Sequence, residues 1–258
     1  MANLVLGYAD RVRPGSLTGS SALATLPVAN LQTQRLGQPW RGQPGVTSAW
    51  LVADFGAAKS IGAVLLAGTN LSPAATWRIR LSSSDASGAA GDVLDSGMVA
   101  AGVDVRFRLA LLVLATDRAG RYLRLDLADA TLPWLEAGRL AALALWRPRR
   151  NFAFGLQRGL NDLSKVARGE AGDVFALRGA VQRTLTLSLQ AVFRDELVAD
   201  VEDLLRSAGL TDDVLVCLDP ASGNLGFESI WGTMEQLPAW EQLTHATSKG
   251  GVRVVERV

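Results

Sequence analysis

The alternation of apolar and polar residues along the chain predicts short β-strands at intervals of about ten residues. The clearest pattern runs over residues 183–193. There Leu185, Leu187 and Leu189 face one side, and threonine, serine and glutamine side chains face the other. Alternation with a period of two is typical of a half-buried strand. Residues 109–115 form the most apolar run in the chain, and its length is that of a strand.

The pattern in residues 1–147 predicts an all-β domain. Strand-length segments alternate there with loops rich in glycine, serine, aspartate and alanine. Short strands separated by turn signals in this way are typical of an antiparallel sandwich or barrel. The predicted strands are 49–55, 60–67, 77–82, 106–109, 121–127 and 140–146.

A second domain is predicted over residues 148–258, because an apolar segment stops at the step from Arg147 to Pro148, where the backbone is pushed to extended geometry. The first domain carries 14 basic and 10 acidic residues and the second 12 and 15, for net charges of +4 and −3. An apolar face along residues 195–208 predicts one helix that ends at Gly209. The predicted strands of this β-rich domain are 151–155, 173–177, 183–193, 214–220, 229–234 and 252–255.

The composition excludes several kinds of chemistry. Histidine and cysteine occur once each, as His245 and Cys217, so no His/Cys zinc site and no internal disulfide can form within the chain. The net charge of +1 leaves no broad basic surface for nucleic acid. No apolar run reaches the roughly 18–20 residues of a membrane span, so we expect no membrane insertion.

No combination of nucleophile, base and orienting residue can be assembled, so we expect neither an enzyme nor a cofactor. Asp195 and Glu196 form a carboxylate pair, but they fall at a predicted helix start, where capping explains them. Asp92, Asp95 and Asp104 lack the dense oxygen-ligand spacing of a calcium loop, so no metal is expected.

Three loop residues of the first domain are candidates for contact with a ligand or partner. Trp40 and Arg41 lie in a loop with two prolines and three glycines. An aromatic ring beside polar groups suits sugar stacking or a protein contact, and a packing role for the ring is the alternative. Asn70 either shares that rim or caps a turn. Trp50 and Trp146 lie in predicted strands, so we expect both in the core.

Six segments of the first domain, in this order, resemble the discoidin, or galactose-binding-like, family. The resemblance implies a jelly-roll β-sandwich of eight strands, in which ligands sit among the loops at one end. The disulfide that is common in secreted members is absent here. The matching segments are 30–31, 50–56, 61–64, 68–70, 120–125 and 143–146.

A second set of segments resembles tail-tip proteins of tailed phages and of phage-derived gene transfer agents. The resemblance implies that the second domain is similar to the tube-like domain of distal tail proteins, a β-sandwich with one helix that assembles into a ring. The matching positions are 146–148, 151–152, Gly159, 162–164, Gly172, Arg183, 196–205, 218–220 and 230–232.

Together these observations predict a structural component of a phage tail tip or baseplate. It would form a homo-oligomeric ring, a hexamer or trimer, between tail tube and hub proteins, and would be made in the host cytoplasm and located in the virion. Closed assembly conceals strand edges that would otherwise aggregate. The alternative is a carbohydrate-binding module, in which the loop rim around Trp40 touches host-surface glycans during adsorption. The two hypotheses are compatible if the tail tip also adsorbs to the host.

Overall fold

The computed structural model describes residues 3–168, 170 and 173–258, so Gly172, named in the second resemblance, lies outside the described residues. The chain is mainly β, which confirms the predicted fold class. It divides into two compact units. The first comprises Met1–Arg147 together with Cys217–Ser229, and the second comprises Pro148–Val216 together with Ile230–Val258.

The elements of the first 147 residues are ten strands and one 3-10 helical turn. They are β1 (Val5–Tyr8), β2 (Ser16–Gly19), the 3-10 turn (Val28–Gln32), β3 (Trp40–Arg41), β4 (Ser48–Ala67), β5 (Thr76–Ser82), β6 (Leu94–Asp95), β7 (Val99–Ala100), β8 (Leu109–Ala128), β9 (Glu136–Ala137) and β10 (Arg139–Trp146).

The remaining residues form eight strands and a few helical segments. They are β11 (Gln157–Asp162), β12 (Lys165–Arg168), β13 (Val174–Leu177), β14 (Val181–Phe193), α1 (Arg194–Glu196), a π-helical turn (Leu197–Val201), α2 (Glu202–Ala208), β15 (Asp213–Cys217), α3 (Leu225–Glu228), β16 (Ser229–Met234), β17 (Glu241–Gln242) and β18 (Thr247–Glu256).

Two 20-residue strands, β4 and β8, organise the first unit. They pair antiparallel from Ser48 opposite Ala128 to Ala67 opposite Leu109, with a register shift near Gly56, whose φ is +75°. The first part of β4 also pairs with β2, and its last part pairs with β10. β5 continues the sheet beyond β8, and β1 continues it beyond β10.

The two parts of these long strands enclose one hydrophobic core. Side chains from β5 and from the first part of β4 meet side chains from β10 and from the last part of β4. Two layers of strands around a shared core make a β-sandwich. The core includes Leu51, Ala53, Val64, Leu66, Trp77, Ile79, Leu81, Leu123, Leu125, Leu127, Leu140 and Ala142.

Strand prediction in this unit was accurate in the apolar segments and wrong at one turn. The predicted strands 49–55 and 60–67 are one continuous strand, β4. The predicted strand 106–109 is mostly a turn, in which the backbone N–H groups of Phe107 and Leu109 both donate to the Asp104 carbonyl. Arg108 has a φ of +50°, which strand geometry does not allow.

The second unit is built on a sheet with the order β11, β14, β18, β16, β15. β17 adds to the edge of β18, while β12 and β13 form a separate two-stranded sheet. Leu185, Leu187 and Leu189 of β14 are buried, as the alternation predicted.

The predicted helix is also confirmed. Helical backbone runs without a break from Arg194 to Ala208, and Val201, Leu204 and Ala208 form its buried side. The predicted strand 151–155 is irregular backbone instead. In the part of the chain that the structure describes, no helix is long and apolar enough to cross a membrane.

Candidate functional site

Trp40 is fully buried in the core of the first unit. The small antiparallel pair of β3 and β9 places Trp40 opposite Ala137. The Trp40 Nε1–H donates to the Ser21 carbonyl at 2.8 Å, which satisfies the polar edge of the ring. The prediction that this ring contacts a ligand is therefore wrong, and the packing alternative is the one that the structure bears out.

The side chain of the neighbouring residue, Arg41, lies at the surface and not in the core. It lies opposite Glu136 in the β3–β9 pair, and its Nε–H donates to Glu136 Oε2 at 2.7 Å. Its guanidinium carbon also lies 4.9 Å from the ring centroid of Trp134, within the range of a cation–π contact. The Arg41 side chain is 35% exposed, so this guanidinium remains accessible to solvent.

Asn70 holds the segment that carries Trp134 and Glu136. Its Nδ2–H donates to the Trp134 carbonyl at 2.9 Å, and its Oδ1 accepts from the Glu136 N–H at 2.8 Å. Its own backbone N–H donates to the Glu136 carbonyl at 3.1 Å. The two polar ends of the amide are thus engaged by backbone, and Asn70 is a positioning residue for the rim.

Arg108 completes the cluster from the turn before β8. Its Nε–H donates to the Thr69 carbonyl at 3.1 Å, and one of its NH2 nitrogens lies 3.7 Å from Glu136 Oε1. Its side chain is 53% exposed. We call Arg41, Arg108, Trp134 and Glu136 the rim cluster.

Sequence reasoning missed three members of the rim cluster, because Trp134, Glu136 and Arg108 come from segments far from Trp40 along the chain. One available signal was the Pro133-Trp134 step, which places a tryptophan in a loop just before a strand. Because residues 106–109 alternate between polar and apolar, the pattern predicted a strand there that includes Arg108.

The rim cluster combines an aromatic ring with charged side chains. It offers a half-buried indole, two guanidinium groups and one carboxylate that accepts from Arg41 and lies 3.7 Å from Arg108. Guanidinium groups are donors only, and they bind carboxylates and hydroxyl oxygens in fixed geometry. The residues present therefore favour recognition of a polar molecule with an apolar face.

The aspartates considered for calcium are engaged by separate partners. Asp95 makes a bidentate pair with Arg78, Asp104 pairs with Arg106 at 2.9 Å, and Asp92 accepts from the Ser83 backbone and hydroxyl. Across residues 3–168, 170 and 173–258, no group of three histidine, cysteine, aspartate or glutamate side chains has the geometry to hold a metal.

The prediction for the two strand tryptophans is right for one and wrong for the other. Trp146 is buried, with 2% of its surface exposed. Trp50 is only partly buried, because its neighbours Leu51 and Ala49 face inward and it faces the opposite side of β4. The guanidinium of Arg124 lies 5.0 Å from the Trp50 ring centroid.

A network of charged side chains covers this outer face of the sheet. Asp126 accepts from Arg80 at 2.6 Å and from Arg124 at 3.0 Å. Burial by itself raises the pKa of Asp126, but the hydrogen bonds from Arg124 and Arg80 together outweigh burial, and the pKa is lowered. The Asp54 carboxylate accepts two hydrogen bonds from the Arg121 guanidinium, at 2.8 and 2.9 Å.

The second unit has an open cleft of about 380 Å³ beside the irregular part of β14. Its polar groups already bind one another: Lys249 pairs with Glu241 at 2.9 Å, and the Gln190 amide donates to the Ser188 hydroxyl at 2.8 Å. Trp240 forms the apolar part of the lining. The Trp240 Nε1–H is buried without a hydrogen-bond partner, but the cleft is open and its charged groups are paired, so it does not by itself define a ligand.

The two-stranded sheet of β12 and β13 exposes apolar side chains to an unusual extent. All eight of its residues are exposed. Val166, Val174, Phe175 and Leu177 are each between 59% and 70% exposed. We call β12 and β13 the apolar hairpin. Exposed apolar patches of this kind mark sites of protein contact in soluble proteins.

The single cysteine and histidine take no part in a reactive group. Cys217 is fully buried, and burial raises the pKa of its thiol to about 11, so the reactive thiolate is scarce at neutral pH. His245 lies in an exposed loop between β17 and β18.

No family model matches the chain, and no curated protein is similar to it. Solved structures with partial likeness include carbohydrate-binding modules. One is the chitosan-binding module 1 of a chitosanase/glucanase from Paenibacillus sp. IK-5, with 13% identity, 53% of this chain and 100% of that chain covered, and a TM-score of 0.41.

Two further modules are similar at comparable levels. The family 32 module of C. perfringens NanJ, solved with galactose, has 7% identity over 54% of this chain and 99% of that chain, with a TM-score of 0.43. The family 32 module of AlyQ, solved with 4,5-unsaturated mannuronic acid, has 18% identity over 53% of this chain and 96% of that chain, with a TM-score of 0.39. Identities and TM-scores at this level assign neither a ligand nor an activity to this chain.

Proposed function

We propose that the first unit binds carbohydrate and that the rim cluster is its binding site. The observation that carries this proposal is the fixed placement of Trp134 beside Arg41, whose guanidinium is held by Glu136. Asn70 holds the backbone of the same segment through three hydrogen bonds. A site that is already organised before binding spends less free energy on ordering its side chains when the ligand arrives.

The chemistry of the rim cluster matches the surface of a sugar. One face of a pyranose is apolar enough to lie on an aromatic ring, while its hydroxyl groups need donors and acceptors at the edge. Arg41 and Arg108 supply donors, and Glu136 supplies an acceptor. Two guanidinium groups against one carboxylate leave a net positive charge, which favours acidic sugars over neutral ones.

The test is a binding measurement on the full chain with galactose, fucose, a chitosan oligosaccharide and a mannuronate oligosaccharide. Wild type is expected to bind at least one of them, and Trp134→Ala is expected to weaken that binding at least tenfold. Trp50→Ala is the matched control, since Trp50 is a half-buried tryptophan under an arginine on the outer sheet face. Absence of binding by wild type, or equal binding by Trp134→Ala, would contradict the proposal.

We propose further that the protein acts by binding and not by catalysis. The rim cluster has no nucleophile and base within hydrogen-bond distance of each other, and the only thiol is buried with a raised pKa. Each sugar of the panel is expected to be recovered unchanged after prolonged incubation, which chromatography of the mixture would measure.

We also propose a second candidate function, a structural component of a phage tail tip within the virion, whose assembly step is supported by a separate observation. Every strand residue of the apolar hairpin in the second unit is exposed. This is expected of a subunit surface that becomes buried when copies assemble. In this proposal the second unit forms a ring of six or three copies between tail tube and hub proteins, and the first unit remains free to bind sugar.

Light scattering coupled to size-exclusion chromatography tests this candidate directly. The full chain is expected to elute as a closed assembly with the mass of six or three copies, and negative-stain images are expected to show rings. A monomer at every concentration up to about 100 µM would argue against it, while leaving the sugar-binding proposal intact.

A further inference from the structure

The apolar hairpin has two exposed faces, and each combines apolar residues with one basic residue. Directly opposite residues of an antiparallel pair share a face, and the register sets Lys165 opposite Leu177 and Ala167 opposite Phe175. Phe175 and Leu177 therefore form an apolar pair beside Lys165. Val166 and Val174 lie on the other face with Arg168.

An isolated two-stranded sheet is marginally stable in water unless something covers one of its faces. All eight strand residues are exposed, so within the described part of the second unit neither face of the apolar hairpin is buried. The hairpin strands carry two basic residues and no acidic residue, so the covering surface is expected to be acidic as well as apolar.

The exposed side of the helical segment Arg194–Ala208 has this complementary character. Glu202 and Asp203 are exposed there, as is Asp195, and Val198 is 62% exposed. We call Asp195, Val198, Glu202 and Asp203 the acidic helix face. The π-helical turn, a feature that often marks functional positions in helices, includes Val198.

Negative charge is concentrated on this helix beyond what its ion pairs neutralise. Asp195 pairs with Arg149, and Glu202 lies 3.4 Å from Arg206. Burial raises the pKa of Asp200, and the carboxylates of Glu196, Asp195 and Asp203 raise it further. A nearby cation from another molecule would relieve this repulsion.

We propose that the apolar hairpin of one copy docks on the acidic helix face of a second copy, with Phe175 and Leu177 against Val198 and with Lys165 near Glu202 and Asp203. The contact joins two different surfaces, so each copy both offers a hairpin and accepts one. Repetition of such a head-to-tail contact closes into a ring or continues as a filament. The inference rests on the assembly candidate above and is independent of sugar binding.

Charge reversal on the full chain tests the contact. Lys165→Glu alters the docking face of the hairpin, and Glu202→Lys with Asp203→Lys alters the helix face. Each variant is expected to weaken self-association at least tenfold in sedimentation measurements. Because the altered surfaces are again complementary, an equimolar mixture of the two variants is expected to recover hetero-association, which unfolded proteins would not do.

Two controls separate the specific contact from other causes. Glu235→Lys reverses an exposed charge of the second unit outside both surfaces and is expected to leave association unchanged. Phe175→Ser keeps the charges and is expected to lose association while keeping the far-ultraviolet circular dichroism of wild type.

The outcomes distinguish the hairpin-to-helix contact from the assembly candidate on which it rests. If wild type assembles and the reversed variants assemble equally well, the hairpin-to-helix contact is refuted and the assembly candidate stands. If the variants dissociate but their mixture does not associate, the pairing of these two surfaces is refuted. A wild-type chain that stays monomeric overturns both the contact and the assembly candidate.

Discussion

Trp40 and Trp134 belong to segments joined by the β3–β9 pair, yet their side chains have opposite surroundings. Trp40 points into the core and satisfies its indole N–H with the Ser21 carbonyl. Trp134 stays partly exposed under the guanidinium of Arg41. Both follow a proline in a loop, so local sequence does not separate a packing tryptophan from a contact tryptophan. The pairing of two distant segments makes the difference.

We expect Trp40→Ala to lower the free energy of unfolding by about 3–5 kcal/mol, because it leaves a large cavity in the core and an unpaired carbonyl at Ser21. Urea denaturation followed by circular dichroism measures this loss. Trp134→Ala is the matched control and is expected to lose less than about 1 kcal/mol. Equal losses for both variants would show that Trp134 is also a core residue.

Asp126 is expected to stabilise the first unit in a pH-dependent way. Its pKa in the folded protein is lowered by Arg124 and Arg80 against the opposing effect of burial. The stabilisation is therefore present above the unfolded pKa of about 4 and is lost as the pH falls through the folded pKa.

Asp126→Asn should consequently lower the free energy of unfolding at pH 7 by about 1.5–3 kcal/mol, the value of a hydrogen bond to a charged group. The difference from wild type should shrink as the pH falls below about 4. Thermal melts between pH 2.5 and 7 measure both effects. Asp173→Asn, at an exposed site, should change stability by less than about 0.5 kcal/mol. A constant difference across the pH range would contradict the assignment.

At the scale of elements, the apolar pattern predicted strands well wherever it was strong. It predicted β14 and the helical segment after it, since both bury one face with a clear period. It did not predict that the segments on either side of Gly56 form a single strand, because the continuity depends on the partner strand β8. Residues 106–108 alternate like a strand, but hydrogen bonds to Asp104 fold them into a turn.

The helical segment carries a second pH-dependent prediction, with the opposite sign. Burial and the charges of Glu196, Asp195 and Asp203 raise the pKa of Asp200 in the folded protein. A raised folded pKa means that stability falls as the pH rises from the unfolded pKa through the folded pKa. At pH 7 the full cost of the charged form is present.

We expect Asp200→Asn to raise the free energy of unfolding at pH 7 by about 0.3–0.5 kcal/mol, by removing like-charge repulsion along the helix. The gain should disappear below about pH 4, where Asp200 is protonated in wild type as well. Urea titrations at pH 7 and pH 3.5 measure it. Asp195→Asn should give no gain, since Arg149 lowers the pKa of Asp195. A stabilised Asp195→Asn would show that this ion pair is not favourable.

At the scale of the whole molecule, the two units are not two continuous stretches of sequence. The sequence predicted domains over 1–147 and 148–258, whereas Cys217–Ser229 belongs to the first unit. This segment contains α3, which packs on β8. Gly226 lies against Asp104 so closely that a Cβ would overlap the Asp104 side chain.

Gly226→Ala is therefore expected to lower the free energy of unfolding by about 1–3 kcal/mol through overpacking, even though alanine is the better helix former. Gly223→Ala is the control, because open space surrounds Gly223 in the same segment, and its effect should stay within about 0.5 kcal/mol. Chemical denaturation of the full chain measures both variants. A neutral Gly226→Ala would show that the packing of α3 on the first unit is loose.

The sequence by itself determined the mainly β class, the single long helical segment and the scarcity of histidine and cysteine, because periodicity and composition are properties of the chain alone. The tertiary structure decided which tryptophan is accessible and which arginine meets Glu136, since both depend on distant segments coming into register. It also decided that the residues of β12 and β13 are exposed. An apolar strand is the same in sequence whether a layer covers it or not, and only the positions of the other elements distinguish a core strand from a docking surface.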